Sequence, residues 1–569
     1  MRKIWTLGAT LSVLLTSGGC YDFDAAEARC KDAGRCVDGE EEMDAGPDAG
    51  PDSGSDAGPD AGPCVISSDV DVPDDNFVDA NCDGVDGQAD AGLFVDPASG
   101  SDDGQGRGSR EAPLKTLGRA LQLLREADGG GPRALYLARG SYDELGLVVD
   151  VPASLYGAYA RLPGGWDRGP QYLTHLDGGT VGLRVHNVPD GGVLLNRLLI
   201  TSSDATGSGT PSIALHVQGA SSVRLDRVVL EAGRGASGRD GDNGAVGLLG
   251  VNGNNGTSGQ DGGILAGRPG DGGSRTCLDG VVTFGGDGSL GGRNGSPGLD
   301  GGPGWPATPG GLGGFAGTVA ATIDTTRYCR SGDGGTGLDG LSGAPGESGR
   351  AGEGVGEIQA GMWTATQRGA DGGLGRAGAG GGGGGSGGSC DLTAFNGTIQ
   401  QASGGGSGGG GSGGCGGTGG EGGGGGGASI ALLVLDSNVE VQNGSELRTR
   451  GGGNGGRGGS GGPGGDGGTG GQGGLGGRYA EDFAGFTYDT GGGNGGFGGR
   501  GGPGGLGGAG GGGGGGPSVG VWCATGAGVR LQDGGVTIVL GGGGAGGSSV
   551  GSPGDAGPVA PTIDCVTNP

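Results

Sequence analysis

Aromatic residues are scarce, 4 % of a 569-residue chain. One packed core for a chain this long needs far more bulk, which excludes a uniformly globular enzyme. Proline numbers only 26. A Gly-X-Y collagen chain carries at least ~15–20 %, so a triple helix is excluded too. Basic side chains are in deficit, 34 Lys and Arg against 62 Asp and Glu, for a formal charge of -28. Such a surface repels phosphate backbones and argues for no nucleic-acid partner. There is no Cys-x-x-Cys pair to suggest structural zinc, no GxxxxGK[ST] phosphate loop and no apolar run long enough to span a bilayer. What fills the chain is glycine: 167 residues, against a usual ~7 %.

The N-terminus reads MRKIWTLGATLSVLLTSGGC. Arg2 and Lys3 form a positive n-region, and Ile4 to Leu15 a short apolar stretch. Small residues then lead to Cys20, the layout of a signal peptide over 1–19. It resembles bacterial lipoprotein signals, in which a small-residue box precedes a cysteine that is lipidated and becomes the mature N-terminus. Gly18, Gly19 and Cys20 fit that box, whereas Ser17 stands where the family usually has Leu. Tyr21 after the cysteine implies, by the family's sorting rule, the outer membrane or cell surface. The membrane partner would be reached through the lipid on Cys20.

Residues 20–63 include DAGPDAGPDSGSDAGPDAGP, a charged, apolar-poor repeat expected to act as an extended tether. An acidic segment follows over 64–92. In it Asp79, Asn81, Asp83, Gly84 and Asp90 match D-x-N-x-D-G-x5-D, the oxygen order of a calcium loop with Asp at the last place. The alternative is an acidic loop pinned by Cys64 and Cys82. Calcium is the only cofactor suggested. The segment also resembles the CDG-containing linkers that precede repeat domains in bacterial surface lipoproteins. Removing Cys20 leaves ten cysteines, an even set suited to disulfides whose pairing spacing does not fix: Cys30, Cys36, Cys64, Cys82, Cys277, Cys329, Cys390, Cys415, Cys523 and Cys565.

Residues 93–160 are the most ordinary stretch. LFVDP predicts a strand. PLKTLGRALQLLREA, 113–127, predicts an amphipathic helix with Pro113 in its first turn and Leu114, Leu117, Leu121 and Leu124 on one face. ALYLARGSY and LGLVVDVPASLYGAY predict further strands. This run resembles the N-terminal cap of right-handed parallel β-helix proteins of the pectin-lyase-like superfamily. Segments 181–201, 212–232, 428–449 and 518–540 share one pattern: a short apolar strand, a polar turn, an alternating strand and another strand. A strand triplet repeated in this way reads as one coil of a solenoid. The expected fold is thus all-β: a right-handed parallel β-helix with an N-terminal helix cap and long polyglycine-II-like insertions. Its N-terminal part spans 93–233, with insertions at 234–427, a coil at 428–449, Gly-Gly-X insertions at 450–517, and a terminal coil and tail at 518–569.

Within the insertions glycine keeps phase. It recurs every third residue through 235–262, 334–352, 369–387 and 405–426. Nine Gly-Gly-X units fill 452–478 and eight fill 492–515. A flexible linker needs glycine but no phase. A screw of three residues per turn turns that phase into a stripe without side chains, along which main chains can approach and bond. Packed polyglycine-II-type strands with outward X residues are expected, against disordered loops as the alternative. The layout resembles glycine-rich bacterial surface lipoproteins labelled PE-PGRS-like.

Many pectin-lyase-like β-helices cleave polysaccharides. Here His186 and His216 fall on adjacent coils, away from His175, and Arg184, Arg197, Arg224, Asp226 and Arg227 are candidates to line one face. Nothing in their spacing fixes a catalytic constellation. The expected function is non-catalytic: adhesion, surface display or envelope structure, with surface glycans or proteins of other cells as partners. The alternative is a carbohydrate-active β-helix enzyme or a glycan-binding protein.

Overall fold

A computed structural model describes residues 64–567 apart from 105–106, 128–132, 164, 189, 306–308, 314–317, 324–325, 367, 394–398 and 484. The signal segment, Cys20, the tether, Cys30 and Cys36 lie outside the described residues. The fold is nearly all strand. Three parallel sheets dominate, and the chain visits them in rotation. Sheet one is ordered Gly92–Val95, Ala134–Ala138, Ala153–Leu162, Val193–Asn196, Val223–Asp226, Asn438–Gln442, Gly528–Leu531, Val566–Thr567. Sheet two runs from Gly140–Asp143 through Thr174–Asp177, Leu199–Thr201, Val229–Ala232 and Ser445–Thr449 to Val536–Val539. Sheet three runs from Val148–Val149 through Val181–Val188, Ser212–Ala220, Ser429–Leu435 and Ser518–Cys523 to Val559–Ile563.

Register stacks like on like. Leu155, Leu195, Leu225, Val441 and Leu531 form one ladder in sheet one. Tyr142, Leu176, Ile200, Leu230, Leu447 and Ile538 form one in sheet two, and Leu183, Leu215, Leu432 and Val521 one in sheet three. Side chains from all three ladders meet in a single core. Because side chains alternate along a strand, a one-residue slip would turn a whole ladder outward, so apolar alternation enforces this register. Helix α1, Leu117–Glu126, closes the N-terminal end of that core with Leu117, Ala120, Leu121 and Leu124.

The helix begins later than the sequence suggested. Pro113 is not in its first turn, because Leu114 is drawn into the strand layer: it exchanges backbone bonds with Phe94 and Asp96. Thr116 then caps the helix, its hydroxyl accepting from Arg119 N, while the Glu144 carboxylate accepts from Leu117 N and Gly118 N.

Three glycine-rich inserts, 233–428, 450–517 and 540–558, leave from the same place: the connection from a sheet-two strand to the next sheet-three strand. In other circuits that connection is short, as at 144–147 and 178–180. The third insert falls in what the sequence suggested was a terminal coil and tail.

Inside the inserts the chain forms long strands bonded at every third residue. Gly369, Gly372, Gly375, Gly378, Gly381, Gly384 and Gly387 donate in turn to the carbonyls of Gly423, Gly420, Gly417, Gly414, Gly411, Gly408 and Gly405, at 2.8–3.0 Å. The following residues, Ala370 through Gly388 in steps of three, donate to a different strand, from Arg350 back to Gly332. The third phase shows what sets composition. Asp371 and Leu374 have no strand on that side and are exposed. Where 296–305 comes alongside, the same phase becomes Gly380, Gly383 and Ser386, which donate to Trp305, Gly302 and Leu299.

The rule recurs. Along 492–516 the outward residues are Asn494, Phe497, Arg500, Pro503 and Leu506, and the phase is already buried at Ala509. It turns to Gly512 and Gly515 where they donate to Ser552 and Asp555 of a strand from the third insert. Along 403–427, Gly406 and Gly409 lie under 267–273, and the same phase becomes Ser412, Cys415, Thr418 and Glu421 beyond it. Glycine thus concentrates where another strand lies alongside, with small side chains at some covered positions, as at Ala379, Ser386 and Ser407. None of the glycines in 369–388, 403–427, 452–477 or 492–516 has a positive φ. They are selected for the missing side chain and not for backbone freedom: a Cβ on Gly411 would lie 2.0 Å from the Gly468 carbonyl oxygen. At the ~3.1 Å per residue of an extended three-residue screw, 403–427 is ~75 Å long.

The outward residues also bond. Asp240, Asn243, Asn252, Asn255, Ser258 and Asp261 accept from the main-chain N–H groups of Arg457, Ser460, Thr469, Gln472, Leu475 and Arg478, always 217 residues on. At the same offset Pro463, which has no N–H, faces Val246. Asn252→Ala is expected to speed amide exchange at Thr469 while leaving Gly468 protected, at a cost of about 0.5–1 kcal/mol; residue-resolved hydrogen exchange checks this.

The ends of the array are tied by short hairpins that the glycine pattern does not announce. At the far end, Thr326–Arg330, Phe486–Gly491 and Arg478–Phe483 belong to a four-stranded sheet, beside the hairpin Cys390–Thr393 with Ile399–Ala402. At the near end, hairpin Glu357–Gln359 with Met362–Thr364 lies over the outer face of sheet three. Three disulfides brace the described region: Cys277–Cys415 and Cys329–Cys390 in the inserts, and Cys523–Cys565 between successive circuits. Cys64 and Cys82 are each disulfide-bonded as well.

Candidate functional site

The acidic segment 64–92 is docked on the rest of the fold. It packs across the outer face of sheet one. Its Asp86 carboxylate pairs with Arg168 at 2.9 Å, with side-chain exposures of 3 % and 1 %. Arg168 also donates to the Asp74 carbonyl and to Asn196 Oδ1, and its guanidinium lies over the rings of Tyr159, Tyr156 and Phe77. Tyr136 Oη accepts from Gln88 N, and Tyr159 Oη donates to the Asp86 carbonyl. Val85 completes an aromatic cluster with Phe94, Tyr136, Tyr156, Tyr159 and Trp166. Desolvation at this depth raises the Asp86 pKa despite the arginine beside it.

Beside this pair, Asp75 receives Arg227 and Arg197, each at 2.7 Å. Its carboxyl is held below the usual range, first by the Arg227 hydrogen bond. Phe77, Arg197 and Arg227 all have positive φ, 57°, 50° and 53°. This left-handed backbone, unfavourable for side-chain-bearing residues, persists where surrounding contacts over-determine it.

The five-residue charged face suggested from sequence does not assemble. Arg197 and Arg227 are committed to Asp75, and Arg224 reaches Glu440 of the next circuit at 3.8 Å. Arg184 stands on sheet three, paired in register with His216, whereas Asp226 stays on sheet one. Sequence patterning missed Asp75, Asp86 and Arg168. The one signal was the concentration of aromatics with an arginine in 156–168.

The calcium pattern assembles in part. Asp79 accepts from Asp83 N and Gly84 N, and Asp83 from Val85 N and Ala89 N, with Asn81 bridging to Asp83. Gly84 takes the positive φ, 90°, that such a turn requires. Asp90 stands exposed in the 3-10 turn that follows and takes no part in these bonds. The oxygens thus face main-chain donors of their own loop. Among the described residues no three His, Cys, Asp or Glu side chains are grouped to hold a metal ion.

His186 and His216 do meet. Their rings are 4.7 Å apart, edge to face, with Nε2 of His186 3.2 Å from Nδ1 of His216. His175 lies apart on sheet two, bonded to Thr201. The remaining display surface is the glycine array, where every X residue of 454–475 is exposed and every glycine of 452–477 is at least half-buried. No family model matches the chain, and neither does a curated protein or a solved structure.

Proposed function

We propose that the protein is a non-catalytic, lipid-anchored surface protein that holds out a rigid array of polyglycine-II strands on a parallel β-helix, for adhesion or display. The observation that carries this reading is the switch between glycine and side chain in a single phase of 369–388, because a floppy tract has no use for it. Rigid strands place their X residues at intervals of ~9 Å, which suits many weak contacts with a glycan or protein surface. The commitment of Arg197 and Arg227 to Asp75 favours this reading over a carbohydrate-active enzyme.

Cys20, at the end of the signal-like leader, would carry the lipid, and the acidic tether would set the distance from the membrane. Two measurements test the reading. Incorporation of a labelled fatty acid is expected in the wild-type chain and absent from Cys20→Ser. Binding to partner cells or a glycan array is expected to fall in proportion as Arg457, Thr469 and Leu475 are replaced by Ala. Turnover of a polysaccharide by the purified chain would favour the enzyme instead.

A further inference from the structure

The outer face of sheet three is apolar. Ile213, Ile430, Leu433, Val519 and Trp522 form it, and Trp363 of the near-end hairpin sits among them, 2 % exposed and edge-on to Trp522 at 6.5 Å. Under the same hairpin lies His216, 1 % exposed. A buried imidazole beside an apolar face is an unusual choice, and only one nitrogen of this one is paired: Nδ1 faces His186 Nε2 at 3.2 Å, whereas Nε2 is buried without a hydrogen-bond partner on the side covered by the Gly361 backbone of the hairpin.

We propose that hairpin 357–364 is an acid-released cover, held down by the neutral His186–His216 pair and lifted from the apolar face of sheet three when that pair takes up protons. A proton added to His216 makes both ring nitrogens donors, and His186 can accept from only one of them, which leaves a charged N–H buried at Nε2. A second positive charge then adjoins Arg184, which pairs in register with His216. Of the groups facing the rings, only the Gly361 backbone favours the charged form, and no carboxylate is among them. From Val181–Val188 come Arg184 and His186; from Ser429–Leu435 come Leu433 and Leu435; from the hairpin come Gly361 and Met362. The hairpin's carboxylate, Glu357, is exposed and bonded to Gln359.

The titration agrees in sign. Burial pushes His216 down to about 3, with His186 and Arg184 adding to it, and burial then Arg184 lower His186. A base whose closed-state pKa is depressed takes its proton more readily when open. The cover therefore loses stability as pH falls below the free imidazole value of ~6.5. From His216 alone the opening constant approaches a tenfold rise per pH unit below that value, or ~50-fold between pH 6.5 and 4.5.

Hydrogen exchange of peptides spanning 355–366 in the full chain, corrected for intrinsic rates, tests this. Wild type is expected to show the ~50-fold rise between pH 6.5 and 4.5, with the array 403–427 unchanged. His216→Gln, which keeps a polar side chain but cannot titrate, is expected to abolish the rise. Arg184→Gln, a gentler change, is expected to move it to lower pH. A hairpin equally protected at both pH values, a His216→Gln variant as acid-sensitive as wild type, or a rise shared by the whole chain would each overturn the proposal.

Discussion

Gly411→Ala will disrupt the glycine array, with a loss of about 1–3 kcal/mol from overpacking alone. Gly411 is on a strand covered on all sides. Its N–H donates to Gly499 O, its carbonyl accepts from Gly381 N, and its missing Cβ would lie 2.0 Å from the Gly468 oxygen. Cβ contacts below 3.0 Å are essentially never tolerated, and the opposing atom here is backbone, which cannot rotate aside. The strands must therefore separate, and each main-chain bond forfeited adds about 1 kcal/mol. Thr469→Ala, at an exposed X position on the neighbouring strand, makes the control: it removes side-chain atoms from solvent and is expected to change stability by less than about 0.5 kcal/mol. Denaturant unfolding of the pair, with exchange read over 403–477, distinguishes a packed array from a collection of loops. Equal behaviour of the two variants would refute the packing described.

Asp86→Ala will have the larger effect, about 3–5 kcal/mol, because it strands the buried guanidinium of Arg168 without a counter-charge. The Asp74 carbonyl and Asn196 Oδ1 remain as acceptors, but neither carries charge. The loss should concentrate at the N-terminal end of sheet one, seen as faster exchange at Gln88 and in Ala134–Ala138. Replacing both partners together, Asp86→Leu with Arg168→Met, is expected to recover most of it, since apolar side chains suit a site walled by Tyr156, Tyr159 and Val85. A single variant as stable as wild type would mean that water reaches the pair.

Much of this was legible in the sequence, for stated physical reasons. Apolar alternation in 181–201 and 212–232 gave strands of the right type, because a buried face imposes period two. Period three in the inserts gave bonded strands with outward X residues, because only a three-residue screw needs that phase. The all-glycine stretches carried more information than was read from them: they mark strands with neighbours on every side. Which strand meets which was not legible, since one glycine stripe fits any other equally well. The register appears only when Asp and Asn positions are compared with residues 217 further on.

The hairpins at the array's ends were missed because strands such as Met362–Thr364 and Glu357–Gln359 are too short to show a period. The helix start was displaced because proline suits a first helical turn and a strand edge alike. Of the candidate site, the histidine contact was visible in coil spacing, but the docking of Asp75 and Asp86 was not, since an acidic run reads the same whether solvated or facing arginines.

The 217-residue offset also bears on how the molecule comes into being. Segment 254–260 can pair at once with 265–271, but 238–250 takes its array partners from 412–424 and 454–466, so it is made long before they exist for it to bond. At roughly 5–20 residues per second of synthesis, the wait is on the order of 10–40 s. Contacts this remote in the chain make for slow assembly, since loop closure precedes any reward. A nascent segment in that position survives by being unattractive: poor in apolar side chains, rich in charge and glycine, it has little to clump with. The composition that builds the finished array is also what keeps its unfinished pieces apart.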